Sequence, residues 1–359
     1  MEKKEFIPKE LPLDIKLNAE NYQLLISASR ELGKLNGFIN TIPNQNILIN
    51  SLVLQEAKDS SAVENIITTH DELFLAQMDE NSITQSAKEV IGYEAALKKG
   101  FDLMKKDNLI LNKHILAIQK RMQNNNAGFR TQSGTVLKNP ATGEVKHIPP
   151  QNLYDIQRLM SNLEKYINED LDDFDPLIRL AIIHYQFETI HPFFDANGRT
   201  GRIINVLYLT YKGLLDLPIL YLSAYIIQNK TQYYRLLENV SKNKSWNEWI
   251  SYILTAVQKT SIATIKIISQ INEAMQTFSV KLQATNSKIY SKDFVELLFS
   301  YPYTKIEFIS QKLGIARQTA SKYLKICEEI GLLECLKLGN TNFYINISLF
   351  NILKKGIEC

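Results

Sequence analysis

The chain has 359 residues, 45% of them hydrophobic and 22% charged, which fits a soluble globular protein with room for two or three domains and excludes a disordered or fibrous one. A formal net charge of +3 is too small to mark a nucleic-acid binder, and no uninterrupted apolar run approaches the roughly 20 residues of a membrane span. Met1-Glu-Lys-Lys-Glu-Phe6 lacks the apolar core of a signal peptide, and Cys327, Cys335 and Cys359 have no metal spacing, so free thiols in a reducing cytoplasm are expected.

Periodic helices dominate from about residue 18 to 280, and residues 1–108 read as an N-terminal helical region. Within it, Gln55-Glu-Ala-Lys-Asp-Ser60-Ser61-Ala-Val-Glu64-Asn65 puts Ala57, Ser60, Ser61 and Glu64 on one helical face. Residues 109–245 form a second unit. Inside it, 128–150 lacks helical periodicity and alternates as Thr135/Val136/Leu137 and Val145/His147/Ile148 around Asn139 to Gly143, which predicts a β-hairpin.

Further on, Leu177, Leu180, Ala181, His184 and Phe187 recur at helical spacing, so a buried helix runs into His191-Pro-Phe-Phe-Asp-Ala-Asn-Gly-Arg-Thr-Gly-Arg202. Pro192 and Asp195 to Gly198 break that pattern into a loop, and Ile203, Ile204, Val206, Leu207 and Leu209 resume as an apolar helix. The amides near Asn197 to Arg199 then stand at a helix N-terminus, where unpaired N–H groups attract anions. Arg199 and Arg202 are three apart and can face one anion. Asp195 suits a divalent metal carried by a nucleotide, and His191 can take a proton from a hydroxyl nucleophile.

HPFFDANGRTGR resembles the Fic family signature, HxFx(D/E)GNGRxxR, at every defining position except Ala196, where Gly is commonest. The resemblance implies a mainly α fold: a Fic-type helical core carrying a β-hairpin flap. It also implies transfer of AMP from ATP to a Ser, Thr or Tyr hydroxyl of a protein, with Mg2+ and release of pyrophosphate. By the same resemblance His191 is the general base and Asp195 the magnesium ligand. Ala196, Asn197, Gly198, Arg199, Thr200 and Gly201 are the phosphate cradle, and Arg202 clamps the γ-phosphate. Ser60-x-x-x-Glu64-Asn65 matches the family's inhibitory motif, (S/T)xxxE(G/N), which implies that Glu64 pairs with Arg202 and sets negative charge where the γ-phosphate must go.

The flap then pins a target's extended segment by strand addition, with Gly134, Thr135, Val136 and Leu137 near the nucleotide. Tyr233 and Tyr234 continue the family pattern and belong either on the adenosine or in ordinary core packing. The alternatives are removal of AMP from a target, transfer of another phosphate-linked group, and a DNA-binding regulator whose Fic core senses nucleotide.

Helices over 246–286 connect to a C-terminal unit, 287–359, of three helices and a β-ribbon. Thr304 begins its second helix, Ala316 to Ile330 is the third, and two strands flank the Gly339-Asn340 turn. This resembles a winged helix-turn-helix, with Arg317, Gln318, Thr319, Ser321 and Lys322 placed to touch DNA; a protein-interaction or dimerisation module is the alternative. A homodimer and a cytoplasmic location complete the expectations.

Overall fold

The computed structural model describes residues 4–78, 83–138 and 142–356. Residues 139–141 of the hairpin turn, and Cys359, lie outside them.

The N-terminal helices are α1 (Ala19–Ile39), α2 (Asn46–Val63), α3 (His70–Met78) and α4 (Gln85–Asp107). Asn18 caps α1 by accepting from the Asn21 amide at 2.9 Å, and the Asn21 side chain reaches Ser251 Oγ at 2.8 Å. That bond pins the start of α1 to a long C-terminal helix described below. Buried Leu32, Leu35, Ile47, Leu48 and Leu52 join this layer to the main core.

Next come α5 (Asn112–Gln123), β1 (Leu137–Lys138), β2 (Val145–His147), α6 (Leu153–Asn168), α7 (Pro176–Ile190), α8 (Asn197–Tyr211), α9 (Leu222–Gln228) and α10 (Lys230–Asn243). The hairpin forms as expected, antiparallel, with Leu137 opposite His147 and Lys138 opposite Val145. Asp175 caps α7 through the Leu177 amide at 2.8 Å, and Pro176 fills the first turn, where its missing N–H has no cost. From Leu177 to Phe187 every residue of α7 is buried, so the helix forms the centre of the core. Helix α8 packs on α7, α4, α5 and α2, which brings the loop between α7 and α8 against the end of α2.

The connector, expected as several helices, is a single 41-residue helix, α11 (Trp246–Asn286). It contains no Gly or Pro to interrupt its hydrogen-bond ladder. Trp249 of α11 is fully buried and donates from Nε1 to the Ala181 carbonyl at 2.8 Å, fastening α11 to α7.

The C-terminal unit holds α12 (Lys292–Ser300), β3 (Tyr303–Thr304), α13 (Ile306–Leu313), α14 (Arg317–Glu329), β4 (Leu333–Leu338), β5 (Thr341–Asn346) and α15 (Ile347–Lys355). Strand order is β3-β5-β4, antiparallel throughout. Two expectations are corrected here. Thr304 pairs with Tyr344 as strand, so the second helix starts at Ile306; and a fourth helix, α15, follows the ribbon, capped by Asn346. Gly314, at φ +63°, makes the turn between α13 and α14 that a side chain would strain. Among the described residues no helix is long and apolar enough to cross a membrane. Cys327 is buried and Cys335 half-buried, both as free thiols.

Candidate active site

The loop between α7 and α8 is built by two left-handed residues. His191 ends α7 at φ +50°, and Ala196 caps α8 at φ +64° without a side-chain bond. The Asn197 side chain braces the loop across four residues: its Oδ1 accepts from the Phe193 amide and its Nδ2 donates to the Phe193 carbonyl, both at 2.8 Å. It therefore shapes the loop from within. The first helical bond of α8 runs from the Thr200 amide to the Ala196 carbonyl, so the amides of Asn197, Gly198 and Arg199 form the open first turn. Thr200 is buried, and its hydroxyl has no partner among the described residues.

Arg199 and Arg202 are 1% and 2% exposed, and both turn to one carboxylate from far upstream in the sequence. Glu64 Oε1 lies 2.8 Å from Arg202 Nη2, and Glu64 Oε2 lies 3.2 Å from Arg199 Nε. Ser60, one turn earlier on α2, accepts from Arg202 twice: Oγ from Nε at 2.7 Å and its carbonyl from Nη2 at 2.8 Å. Burial by itself would lower the Arg202 pKa, but the combined pull of Glu64, Tyr233, Glu188 and Tyr93 outweighs it and the net shift is upward. Gly198 lets this happen, since a Cβ there would stand 2.5 Å from Glu64 Oε1 and 2.9 Å from Arg202 Nη1. Asn65 ends α2 at φ +64° and accepts from Lys230 Nζ at 2.8 Å.

His191 is held by its backbone. Its carbonyl accepts from Arg130 Nε at 2.8 Å, while the Arg130 amide donates to the Pro192 carbonyl at 2.9 Å. The ring Nδ1 is buried without a hydrogen-bond partner among the described residues. Burial first, then the charges of His147 and Arg130, push the His191 pKa down to about 3, so the imidazole is neutral near pH 7. Asp195 is the exposed member of the loop, its side chain 69% accessible. Its Oδ1 accepts from the Ala196 amide at 2.6 Å, and its Oδ2 lies 3.9 Å from Arg199 Nη2.

Gly134 donates from its amide to Gln151 Oε1 at 2.7 Å, and the Thr135 carbonyl accepts from Gln151 Nε2 at 3.0 Å, which fixes the approach to β1. Thr135, Val136 and Leu137 are half-buried. The hairpin meets the loop through His147, whose Nε2 lies 2.9 Å from the Thr189 carbonyl. The tyrosines separate. Tyr233 is 1% exposed, with its hydroxyl 2.9 Å from His184 Nε2 and its ring among Trp249 and Tyr252, and so belongs to the core; Tyr234 is 48% exposed. At the start of α14, Gln318 and Lys322 are exposed, Thr319 and Ser321 half-buried, and Arg317 is paired with Glu307 at 2.7 Å.

Three family descriptions match this chain: the Fic/DOC family N-terminal region over residues 22–102, the Fic/DOC family over 109–209, and the C-terminal domain of SoFic-like protein adenylyltransferase over 274–349. The chain belongs to the Fic family. Relatives named protein adenylyltransferase Fic include one from Drosophila erecta, 30% identical over 37% of this chain and 26% of its own length. Another, from Aedes aegypti, is 31% identical over 32% of this chain and 23% of its own length. This Fic family member thus aligns with about a quarter of those curated relatives. Among solved structures, a Fic family protein from Desulfovibrio desulfuricans G20 matches with a TM-score of 0.59 at 19% identity, over 92% of this chain and 97% of that one. Fic-1 from C. elegans matches with 0.52 at 21% identity, over 72% and 74%. Both share the fold.

Several residues of this Fic site carried no signal of their own in the sequence. Arg130 is fully buried behind His191, Glu89 of α4 holds Arg199 Nη1 at 3.0 Å, and Lys230 faces Asn65. Glu188, one turn before the loop, presses its carboxylate on Gly201, where a Cβ would come within 2.4 Å of Oε1; burial raises its pKa to about 7.

Proposed function

We propose that this chain transfers AMP from ATP to a Ser, Thr or Tyr hydroxyl of a protein and that Glu64 holds it at rest. One observation carries the reading: a single carboxylate closes on both Arg199 and Arg202, immediately beyond the loop that presents a neutral His191. In the reaction the target oxygen attacks the α-phosphorus, the bond to pyrophosphate breaks, and the hydroxyl proton passes to His191. The open amides of Asn197 to Arg199 and the two guanidinium groups would stabilise the phosphates. Hairpin strands β1 and β2 would align the target segment by main-chain bonds.

Magnesium fits as a companion of the nucleotide. Asp195 offers one exposed hard carboxylate, and among the described residues no group of three or more His, Cys, Asp or Glu could hold a metal unaided. Asp195 would hold the ion against the phosphates, where its charge offsets theirs.

With Glu64 in place, the γ-phosphate meets negative charge and finds Arg202 taken. Replacing Glu64 should therefore release transfer. In that released background, His191→Ala should keep its affinity for MgATP while transfer disappears. If affinity and transfer vanish together in a folded protein, His191 is structural and the assignment of the base fails.

A further inference from the structure

Helix α2, which carries Ser60 and is capped at its C-terminus by Glu64, is gripped at its middle by the C-terminal unit. Gln55, 5% exposed, donates from Nε2 to the Leu353 carbonyl near the end of α15 at 2.9 Å. Its Oε1 lies 3.1 Å from His70 Nε2 at the start of α3. An amide oxygen only accepts, so the His70 proton sits on Nε2 and the three elements are tied in series. A second grip is independent of the first. Tyr303 of β3 donates to Asp71 Oδ1 of α3 at 2.6 Å, and Phe74 packs between Tyr303 and Phe350 at centroid separations of 5.8 and 6.0 Å. Helix α12 also packs against α2.

We infer that the C-terminal unit is a clamp on the brake: its docking through Leu353, Tyr303 and Phe350 fixes the position of α2 and so keeps Glu64 on Arg202 and Arg199. The inference rests on Glu64 being inhibitory. Its mechanical basis is the helix itself. Gln55 lies in α2 and Glu64, nine residues on, caps its C-terminus, about 13 Å along the axis, so a shift of the helix is delivered to Glu64. Glu64 touches the arginines at 2.8 and 3.2 Å, and a displacement of about 1 Å takes those contacts beyond hydrogen-bond length. A partner that pulls α15 or β3 away would then release the enzyme without touching the active site.

The test uses the full chain and MgATP affinity by calorimetry, with Gln55→Leu loosening the clamp from α2 and Phe350→Ala from α15. Each should tighten MgATP binding about tenfold and raise amide exchange over residues 60–66. Neither should add to the gain from Glu64→Gly, because a clamp acts only through the brake. Gln55→Leu and Phe350→Ala proteins that bind like wild type, beside a Glu64→Gly that gains, overturn the clamp and leave the brake standing. A Glu64→Gly that gains nothing overturns the brake, and the clamp with it. Gains that add fully to Glu64→Gly also overturn the clamp. Tyr303→Phe, which removes only the bond to Asp71, serves as a folded check and should move affinity in the same direction.

Discussion

Glu64→Gln isolates the electrostatic part of the proposed inhibition, because it keeps the shape of the side chain and removes its charge. The carboxylate lies 2.8 Å from Arg202 and 3.2 Å from Arg199, where the phosphates would compete with it. At an effective dielectric near 20, a like-charge contact at about 4 Å costs roughly 4 kcal/mol, and screening of a side chain 23% exposed reduces this to about 2–3 kcal/mol. That converts to a fall of about 30- to 150-fold in the Kd for MgATP. Adenosine, which lacks the phosphates, should change less than about threefold by the same argument. Without nucleotide the variant should also be less stable by about 1–3 kcal/mol, since two buried guanidinium groups lose part of their neutralisation. MgATP should restore that stability. Titration calorimetry of both ligands checks the ratio. A MgATP affinity within threefold of wild type, or an equal gain for adenosine, would refute the electrostatic account.

Three further outcomes are expected. Ala196→Gly, at φ +64°, should stabilise the fold by about 1 kcal/mol in urea melts, because a Cβ is strained in that region. Arg130→Ala should cost about 3 kcal/mol, having removed bonds from a buried cation to the carbonyls of His191, Ile190 and Pro150; melts of this variant and of Arg130→Lys check it. Glu56 is buried against Ser223 and Tyr93, and burial raises its pKa from 4.5 to about 8. The folded state therefore takes up a proton, so its contribution to stability is complete below about pH 4.5 and fades as pH rises through 8. Glu56→Gln should flatten the loss of stability between about pH 4.5 and pH 8, and an unchanged slope would show that Glu56 is ionised in the fold.

The parts of this site that the sequence made legible are local. His191 to Arg202 are contiguous, and apolar periodicity on either side places their loop between two helices. Glu64 was reachable only through its motif, because nothing in its own neighbourhood states that it meets Arg202 across 138 positions. Arg130, Glu89 and Lys230 escaped because each is one polar residue whose partner is set by tertiary packing. Strand β3 has two residues, too few for an alternating pattern to register. Helix α15 does leave a signal in Asn346 followed by Leu349 and Leu353, an N-cap before apolar residues four apart, but at nine residues it is a short one beyond the ribbon. Tyr233 and Tyr234 left adenosine and core packing both open, and the burial of Tyr233 against His184 and Trp249 fits core packing.

The most direct test of the account is intact mass after incubation with ATP and magnesium, for wild type, Glu64→Gly and Glu64→Gly/His191→Ala. The account predicts an added adenylyl mass on Glu64→Gly alone. A phosphoryl gain, an adenylyl gain that survives His191→Ala, or equal labelling of wild type would contradict it.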